Sequence, residues 1–146
     1  MDTISLRKET YGMPLDNIYL FGDKGISFIK KIMNEYFENN VKLINEEVDL
    51  KHHGWFAIKY EYLPRKYFIL FEGELNTFNI RIVNNDGGFI ALKQLIDYKN
   101  NLLEDDITCT IVIMKEIINN PINFYKLIDD KLYQQIDGEY KRVKGR

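Results

Sequence analysis

The chain is poor in cysteine, proline and tryptophan, and the shortage of cysteine has the clearest consequence. Among 146 residues only Cys109 carries a thiol, which excludes a disulfide within the chain. Cys109 lies in the apolar run ITCTIVIM, and this setting predicts a buried, unreactive thiol. Because disulfides accumulate in oxidising compartments, the composition favours a cytosolic location.

Long apolar stretches are also missing. No window approaches the roughly 18 apolar residues of a membrane-spanning helix, and the opening MDTISLRKETYG lacks the basic and then apolar pattern of a secretory signal. We therefore expect a cytoplasmic protein without a membrane partner. A short strand or an irregular arm is expected over the first 20 residues, where YGMPLDN marks a break.

Neither sign of charge dominates the chain. Twenty basic and 22 acidic residues give a net charge of −2, with a pI near 5.7. Nucleic-acid binding requires a basic excess or a basic stripe, so no nucleic-acid partner is expected. The run KYEYLPRKYFILFEGE alternates aromatic with basic residues, as single-strand-binding surfaces do. Its acids Glu61, Glu72 and Glu74 would repel phosphates, so we interpret the aromatic residues as sheet core and a partly exposed face.

Motifs for cofactors are absent. Gly87-Gly88 precedes an expected helix, but the spaced glycines of a dinucleotide fingerprint and the Lys-Ser/Thr of a P-loop are lacking, which favours a simple sharp turn. The stretch DNIYLFGDKG has acids and glycines without the ligand alternation of a calcium loop. We predict no cofactor.

The two histidines are adjacent, in the stretch NEEVDLKHHGWF. Side chains of neighbouring residues in a strand point to opposite faces, so His52 and His53 could share a metal ion only if the backbone turned there. Zinc sites need three or four ligands, and no second cluster is present. We predict a solvent-exposed turn at the end of a charged edge strand, and no metal site. An acid/base role for either histidine stays open, because it needs only a partner and a pocket.

Periodicity predicts an α+β fold in a single domain spanning residues 1–146. A helix is expected from an N-cap at Asp23 to about Asn39-Asn40, since its apolar residues fall three and four apart. Four runs with a period of two follow, which predicts neighbouring antiparallel strands: VKLINEEVDL, WFAIKYEYL, RKYFILFEGEL and NTFNIRIVN.

The second half predicts a helix over FIALKQLIDYKNNLL and a fifth strand over ITCTIVIMKE. A short helix is expected over INNPINFYKLID, with Asn120 as its N-cap and Pro121 at its first helical position. Asp137-Gly138 indicates a tight C-terminal hairpin. The expected architecture is an antiparallel meander of about five strands, with the N-terminal helix and one or two further helices packed on one face.

Carboxylates cluster at Glu46-Glu47, at Glu104-Asp105-Asp106 and at Asp129-Asp130. Such runs are typical of solvated turns, and the alternative is an acidic surface that recognises a basic protein through charge and aromatic anchors. On that alternative the predicted partner-binding residues are Glu46, Glu47, Asp49, Trp55, Tyr60, Tyr62, Glu72, Glu74, Glu104, Asp105 and Asp106. No catalytic residue is predicted.

The general make-up of the chain resembles a known group. A small chain rich in isoleucine, asparagine, lysine and tyrosine, with acids in INEEVDL and LLEDDITCTIVI, is similar to the immunity proteins of bacterial polymorphic-toxin and contact-dependent growth-inhibition systems. The resemblance implies a non-enzymatic protein that blocks a cognate toxin domain, often a basic nuclease, by stoichiometric binding. We expect a monomer or a weak homodimer.

Two alternatives belong to other classes. One is a nucleic-acid-processing or regulatory protein of a phage or mobile element that uses His52 or His53. The other is a homo-oligomeric subunit in which VKLINEEVDL pairs with its copy, although the acids of this run and Lys42 argue against such pairing.

Overall fold

The computed structural model describes residues 18–144, and in this part of the chain the sheet is larger than predicted. Eight strands form one antiparallel sheet in which each strand pairs with the next along the chain. The α-helices are α1 (Asp23–Phe37) and α2 (Glu104–Ile117), and 3-10 helices cover Glu38–Asn40 and Leu92–Gln94. The strands are β1 (Val41–Asp49), β2 (Trp55–Tyr62), β3 (Tyr67–Glu74), β4 (Thr77–Val83), β5 (Phe89–Ala91), β6 (Tyr125–Ile128), β7 (Lys131–Ile136) and β8 (Glu139–Arg142).

Helix α1 confirms the helix that the spacing of apolar residues predicted. Five residues of the predicted apolar face are buried: Ile26, Ile29, Ile32, Met33 and Phe37. The predicted N-cap is wrong by one residue, because Gly22 occupies the cap with φ of 52° and Asp23 is the first helical residue. The Asp23 carboxylate still lies at the positive end of the helix dipole, where a negative charge is favourable.

The four predicted strands are confirmed as β1 to β4. Along β2 the side chains alternate between buried and half-buried, with Phe56, Ile58, Tyr60 and Tyr62 on the buried side. We call this side of the sheet the inner face. Together with the corresponding residues of β3 and β4 it forms one apolar core with α1 and α2, which also pack against each other. Burial of this alternating face drives the meander to fold against the helices.

The helix predicted over residues 89–103 is wrong. Asn84 accepts hydrogen bonds from the backbone N–H groups of Asp86 and Gly88, which locks a tight reversal after β4. The chain therefore returns alongside β4 as the strand Phe89–Ala91, followed by the 3-10 helix Leu92–Gln94. This strand pairs with residues 81–83 of β4, whose backbone groups a helix would leave unpaired.

The fifth strand predicted over ITCTIVIMKE is also wrong, since these residues lie in α2. Ile107, Ile111, Met114 and Ile118 are fully buried and recur at helical spacing. The β-branched composition favoured a strand, but packing of this face decides the structure. The helix turns Cys109 outward, so the predicted buried thiol is an exposed one.

The short helix predicted after Pro121 is replaced by strand β6. Asp129 and Asp130 both adopt positive φ, 53° and 65°, and make a two-residue turn into β7. The predicted hairpin at Asp137-Gly138 is confirmed, with φ of 52° and 84°. The eight strands are thus the four that were predicted as a meander, the short strand β5, and the three C-terminal strands β6 to β8, whereas the expected fifth strand does not form.

Most of the arm predicted over the first 20 residues lies outside the described part of the chain. Within residues 18–144, neither α-helix combines the length and the apolar character that a membrane crossing requires.

Candidate functional site

The candidate site lies on the sheet face opposite α1 and α2, which we call the outer face. Because directly paired residues share a face, the strand registers define rows of side chains that run across the sheet. Two neighbouring rows cross β1 to β4 and differ in charge. They lie about 7 Å apart, the distance between alternate residues of a strand.

The first row, the acidic row, consists of Glu47, Ala57, Glu72 and Asn79. Ala57 separates the two carboxylates, which places their Cα atoms two strand spacings, or about 10 Å, apart. The small alanine side chain leaves open space between them. Glu47 accepts a hydrogen bond of 3.1 Å from Asn45 Nδ2, so its carboxylate is oriented along the sheet surface.

The second row, the basic row, consists of Asn45, Lys59, Leu70, Arg81 and Ala91. Lys59 Nζ lies 4.6 Å from the centre of the Phe68 ring, a cation–π geometry. Beyond Ala91 the row is extended by Lys93, whose Nζ lies 4.6 Å from the Tyr98 ring centre. Burial raises the pKa of the Tyr98 hydroxyl above its ordinary value, so this group stays a neutral hydrogen-bonding group.

A cavity of about 540 Å³ covers both rows. Its lining includes the charged side chains Glu47, Glu72, Lys59, Arg81 and Lys93. Negative and positive groups therefore face the same open space on one sheet. Such an arrangement can recognise a surface that carries both signs of charge at a matching spacing.

The single tryptophan of the chain joins the acidic row to the next row along the sheet. Trp55 Nε1 donates a hydrogen bond of 2.7 Å to Glu72 Oε2. Trp55 pairs with Asp49 of β1, and on β3 Glu74 follows Glu72 on the same face. Glu47, Asp49, Trp55, Glu72 and Glu74 thus form one contiguous group, which we call the acidic end of the outer face. These five residues were all predicted from the sequence to bind a partner.

The structure separates the other predicted residues from this group. Glu46 pairs with Ile58 and so points to the inner side, where its Oε2 lies 2.8 Å from Lys30 Nζ of α1. Tyr60 and Tyr62 are only 5% and 3% exposed, which corrects their assignment as surface anchors. Both rings belong to the core, and the Tyr62 hydroxyl donates to Asn119 Oδ1.

The acids Glu104, Asp105 and Asp106 occupy the first turn of α2. There they stabilise the helix through its dipole, and Asp106 accepts a hydrogen bond of 3.0 Å from Asn101 Nδ2. Glu104 borders a second, shallower hollow beside α1. These three residues form a surface on the helical side of the molecule, separate from the outer face.

The turn predicted at the two histidines is confirmed between β1 and β2. His52 Nδ1 lies 2.5 Å from Asp49 Oδ2, and this hydrogen bond lowers the pKa of the Asp49 carboxyl below its ordinary value. A carboxylate can orient an imidazole for proton transfer. Neither histidine lines the cavity over the two rows, however, and His52 is 73% exposed. Among residues 18–144, no three His, Cys, Asp or Glu side chains gather closely enough to hold a metal ion.

The basic row was not predicted from the sequence, because the residues predicted to bind a partner were all acidic or aromatic. Strand alternation carried a signal for it, since Lys59 and Arg81 occupy outward positions of their runs. Their placement in one row, on either side of Leu70, depends on the register of two strand pairs, which a single sequence does not specify. Comparisons of the chain with models of protein families, with curated proteins and with solved structures gave no match.

Proposed function

We propose that this protein acts by binding another protein through the outer face, and that it neutralises this partner stoichiometrically, as an immunity protein does. The observation that carries the proposal is the convergence of Glu47, Asp49, Trp55, Glu72 and Glu74 at one end of an open sheet face. Four carboxylates around an indole provide charge that speeds encounter with a basic surface and an aromatic group that packs against it.

The partner that fits this surface is a toxin domain with a basic patch. Lysine or arginine side chains of the partner would contact the acidic end, and an acidic side chain beside that patch would reach Arg81 or Lys59 in the basic row. A surface of uniform positive charge would meet repulsion at the basic row. The two rows therefore support selection of one partner among many basic proteins, because mismatched partners place like charges together.

A charge-reversal series tests the proposal, and the partner used is the protein that co-purifies with this chain from its source cell in a one-to-one ratio. Changing Glu47, Glu72 and Glu74 together to lysine is expected to slow association about 100-fold at low salt, because attraction becomes repulsion. Stopped-flow measurement of Trp55 fluorescence gives the rate, since the sole tryptophan lies within the proposed interface. Survival of cells that produce the toxin measures neutralisation in parallel.

A matched control reverses the same number of charges elsewhere. Glu35, Glu38 and Glu116 are exposed and lie outside the outer face, so their joint change to lysine alters the net charge equally. We expect this control to associate nearly as fast as the unaltered protein. Equal slowing in both variants would show that only net charge matters, and would contradict a specific outer-face interface. A third variant, with Glu104, Asp105 and Asp106 changed to lysine, tests the α2 surface separately.

The contact between His52 and Asp49 is the one observation that favours a second function, acid/base chemistry on nucleic acid. Under the binding proposal, changing both His52 and His53 to alanine leaves toxin neutralisation intact. Nucleic-acid cleavage by the purified chain that disappears in this variant would overturn the binding proposal in favour of the enzymatic one.

A further inference from the structure

Strand β1 ends the sheet, and its free edge is the longest unpaired edge in the described part of the chain. The strand spans nine residues, whereas β8 at the other end spans four. Leu43, Ile44 and Val48 of β1 are 38%, 43% and 39% exposed. An edge of this length presents unpaired backbone N–H and C=O groups, which are a template for a further strand.

A β-bulge at Ile44 changes which residues of β1 share a face. The pairing with β2 shifts between Leu43 and Asn45. Lys42 pairs with Glu61 and Glu47 pairs with Ala57, so both side chains point to the outer face. In an unbroken strand, residues 42 and 47 would point to opposite faces because they are an odd number of positions apart. The bulge therefore places one lysine and one glutamate of the same edge on the same side.

We propose that β1 pairs antiparallel with β1 of a second copy of this chain, about a two-fold axis between Ile44 and Asn45. In this register Lys42 of each copy faces Glu47 of the other, so the symmetry makes the same attractive pair twice. Val41 faces Val48 on the inner side. Leu43 faces Glu46, whose charge is compensated within its own copy by Lys30 at 2.8 Å.

Other pairings of this edge are less favourable. Registers centred on Glu46 or Glu47 place the same glutamate of both copies directly opposite each other, which is repulsive. Pairing of β1 with β8 of another copy engages only four residues and produces a head-to-tail chain that does not close by itself. The register with two Lys42–Glu47 pairs is therefore the one that the bulge and the charges select together.

This dimer goes beyond the proposed function and does not depend on it. Joining the two edges leaves the outer faces of both copies on the same side of one continuous sheet. Lys42 of the other copy engages Glu47 in this dimer, so Asp49, Glu72 and Glu74 are the carboxylates that each acidic end still offers to a partner. The purified chain alone tests the dimer, so its failure leaves the toxin-binding proposal untouched.

Sedimentation velocity over concentrations from about 5 to 500 µM tests the proposal, since mass action populates a dimer as concentration rises. Lys42→Glu and Glu47→Lys are each expected to raise the dimer dissociation constant about 10- to 30-fold, because each change makes two attractive pairs repulsive. The double variant Lys42→Glu/Glu47→Lys swaps the charges and is expected to restore it to within about threefold of the unaltered protein.

Lys115→Glu is the control, because Lys115 is exposed on the last turn of α2, away from the β1 edge. It should leave the dissociation constant unchanged. A chain that stays monomeric over the whole range would overturn the proposal. A dimer whose dissociation constant is unaffected by the Lys42 and Glu47 changes would also overturn it. So would a double variant that dimerises no more tightly than the single variants. Urea unfolding of each variant confirms that these exposed changes leave the fold intact.

Discussion

Replacing Gly73 with alanine is expected to destabilise the fold by about 3 kcal/mol, at the upper end of the cost of overpacking a core. Gly73 lies on β3 directly opposite Phe56 of β2, on the inner face. A Cβ atom on Gly73 would overlap the Cε2 and Cζ atoms of the Phe56 ring. The ring is fully buried and cannot move into solvent, so the added methyl group has to displace packed neighbours.

Gly25 of α1 packs against the same Phe56 ring from the helical side. A Cβ atom there would lie 2.6 Å from Phe56 Cε2 and 3.0 Å from the backbone oxygen of Leu20. Alanine in a helix normally stabilises it by about 1 kcal/mol relative to glycine. At Gly25 we expect the opposite sign, a net loss of about 1–2 kcal/mol, because the contact outweighs helix propensity. The two glycines together let α1 approach the sheet over an aromatic ring.

A double-mutant cycle separates the clash from other effects. Phe56→Leu shortens the side chain, so Gly73→Ala should cost at least 1 kcal/mol less in the Phe56→Leu background. Gly138→Ala is the control, since its Cβ meets no atom within 4 Å and only its φ of 84° opposes the change. Its cost, about 1 kcal/mol, should be the same in both backgrounds. Urea unfolding followed by Trp55 fluorescence measures all variants, and additivity at Gly73 would disprove the clash.

The elements that were predicted correctly are those whose apolar residues follow one simple periodicity. Helix α1 and strands β1 to β4 each bury one face at regular spacing, so local pattern and tertiary packing agree. In α2 they conflict, because the isoleucines that favour a strand also recur at Ile107, Ile111 and Ile118, a helical spacing. The turn at Asp129-Asp130 needs two positive φ values, which two adjacent acids did not indicate.

The acidic end of the candidate site was predicted in its residues but not in its arrangement, and the basic row was not predicted. Alternation already indicates that Glu46 and Glu47 point to opposite faces, and the register confirms it. Which acid of β3 lies beside Glu47 depends on strand registers, and these depend on turns and packing far along the chain. The bulge at Ile44 has no sequence signature, yet it decides that Lys42 and Glu47 share a face.

Alkaline pH is expected to destabilise the protein through Tyr60, by about 3 kcal/mol in total. Burial against the core, with a smaller contribution from the nearby Glu46 carboxylate, raises the pKa of Tyr60 from 10.0 to about 12. The unfolded chain releases this proton near pH 10, whereas the folded chain keeps it until about pH 12. Stability from this group is therefore complete below pH 10 and is lost as pH rises towards 12, at 1.36 kcal/mol for each pH unit.

Tyr60→Phe isolates this effect because the ring remains in place and only the ionising hydroxyl is removed. The Tyr60 ring packs edge-on against Phe71, with ring centres 6.2 Å apart, and phenylalanine preserves that contact. Burial also raises the pKa of Tyr67 and Tyr98, so both proteins lose stability at high pH. The difference between the two proteins removes these shared contributions. Urea unfolding should show that the free energy of unfolding of Tyr60→Phe rises relative to that of the unaltered protein between pH 10 and pH 12. A constant difference across this range would place the Tyr60 hydroxyl in water.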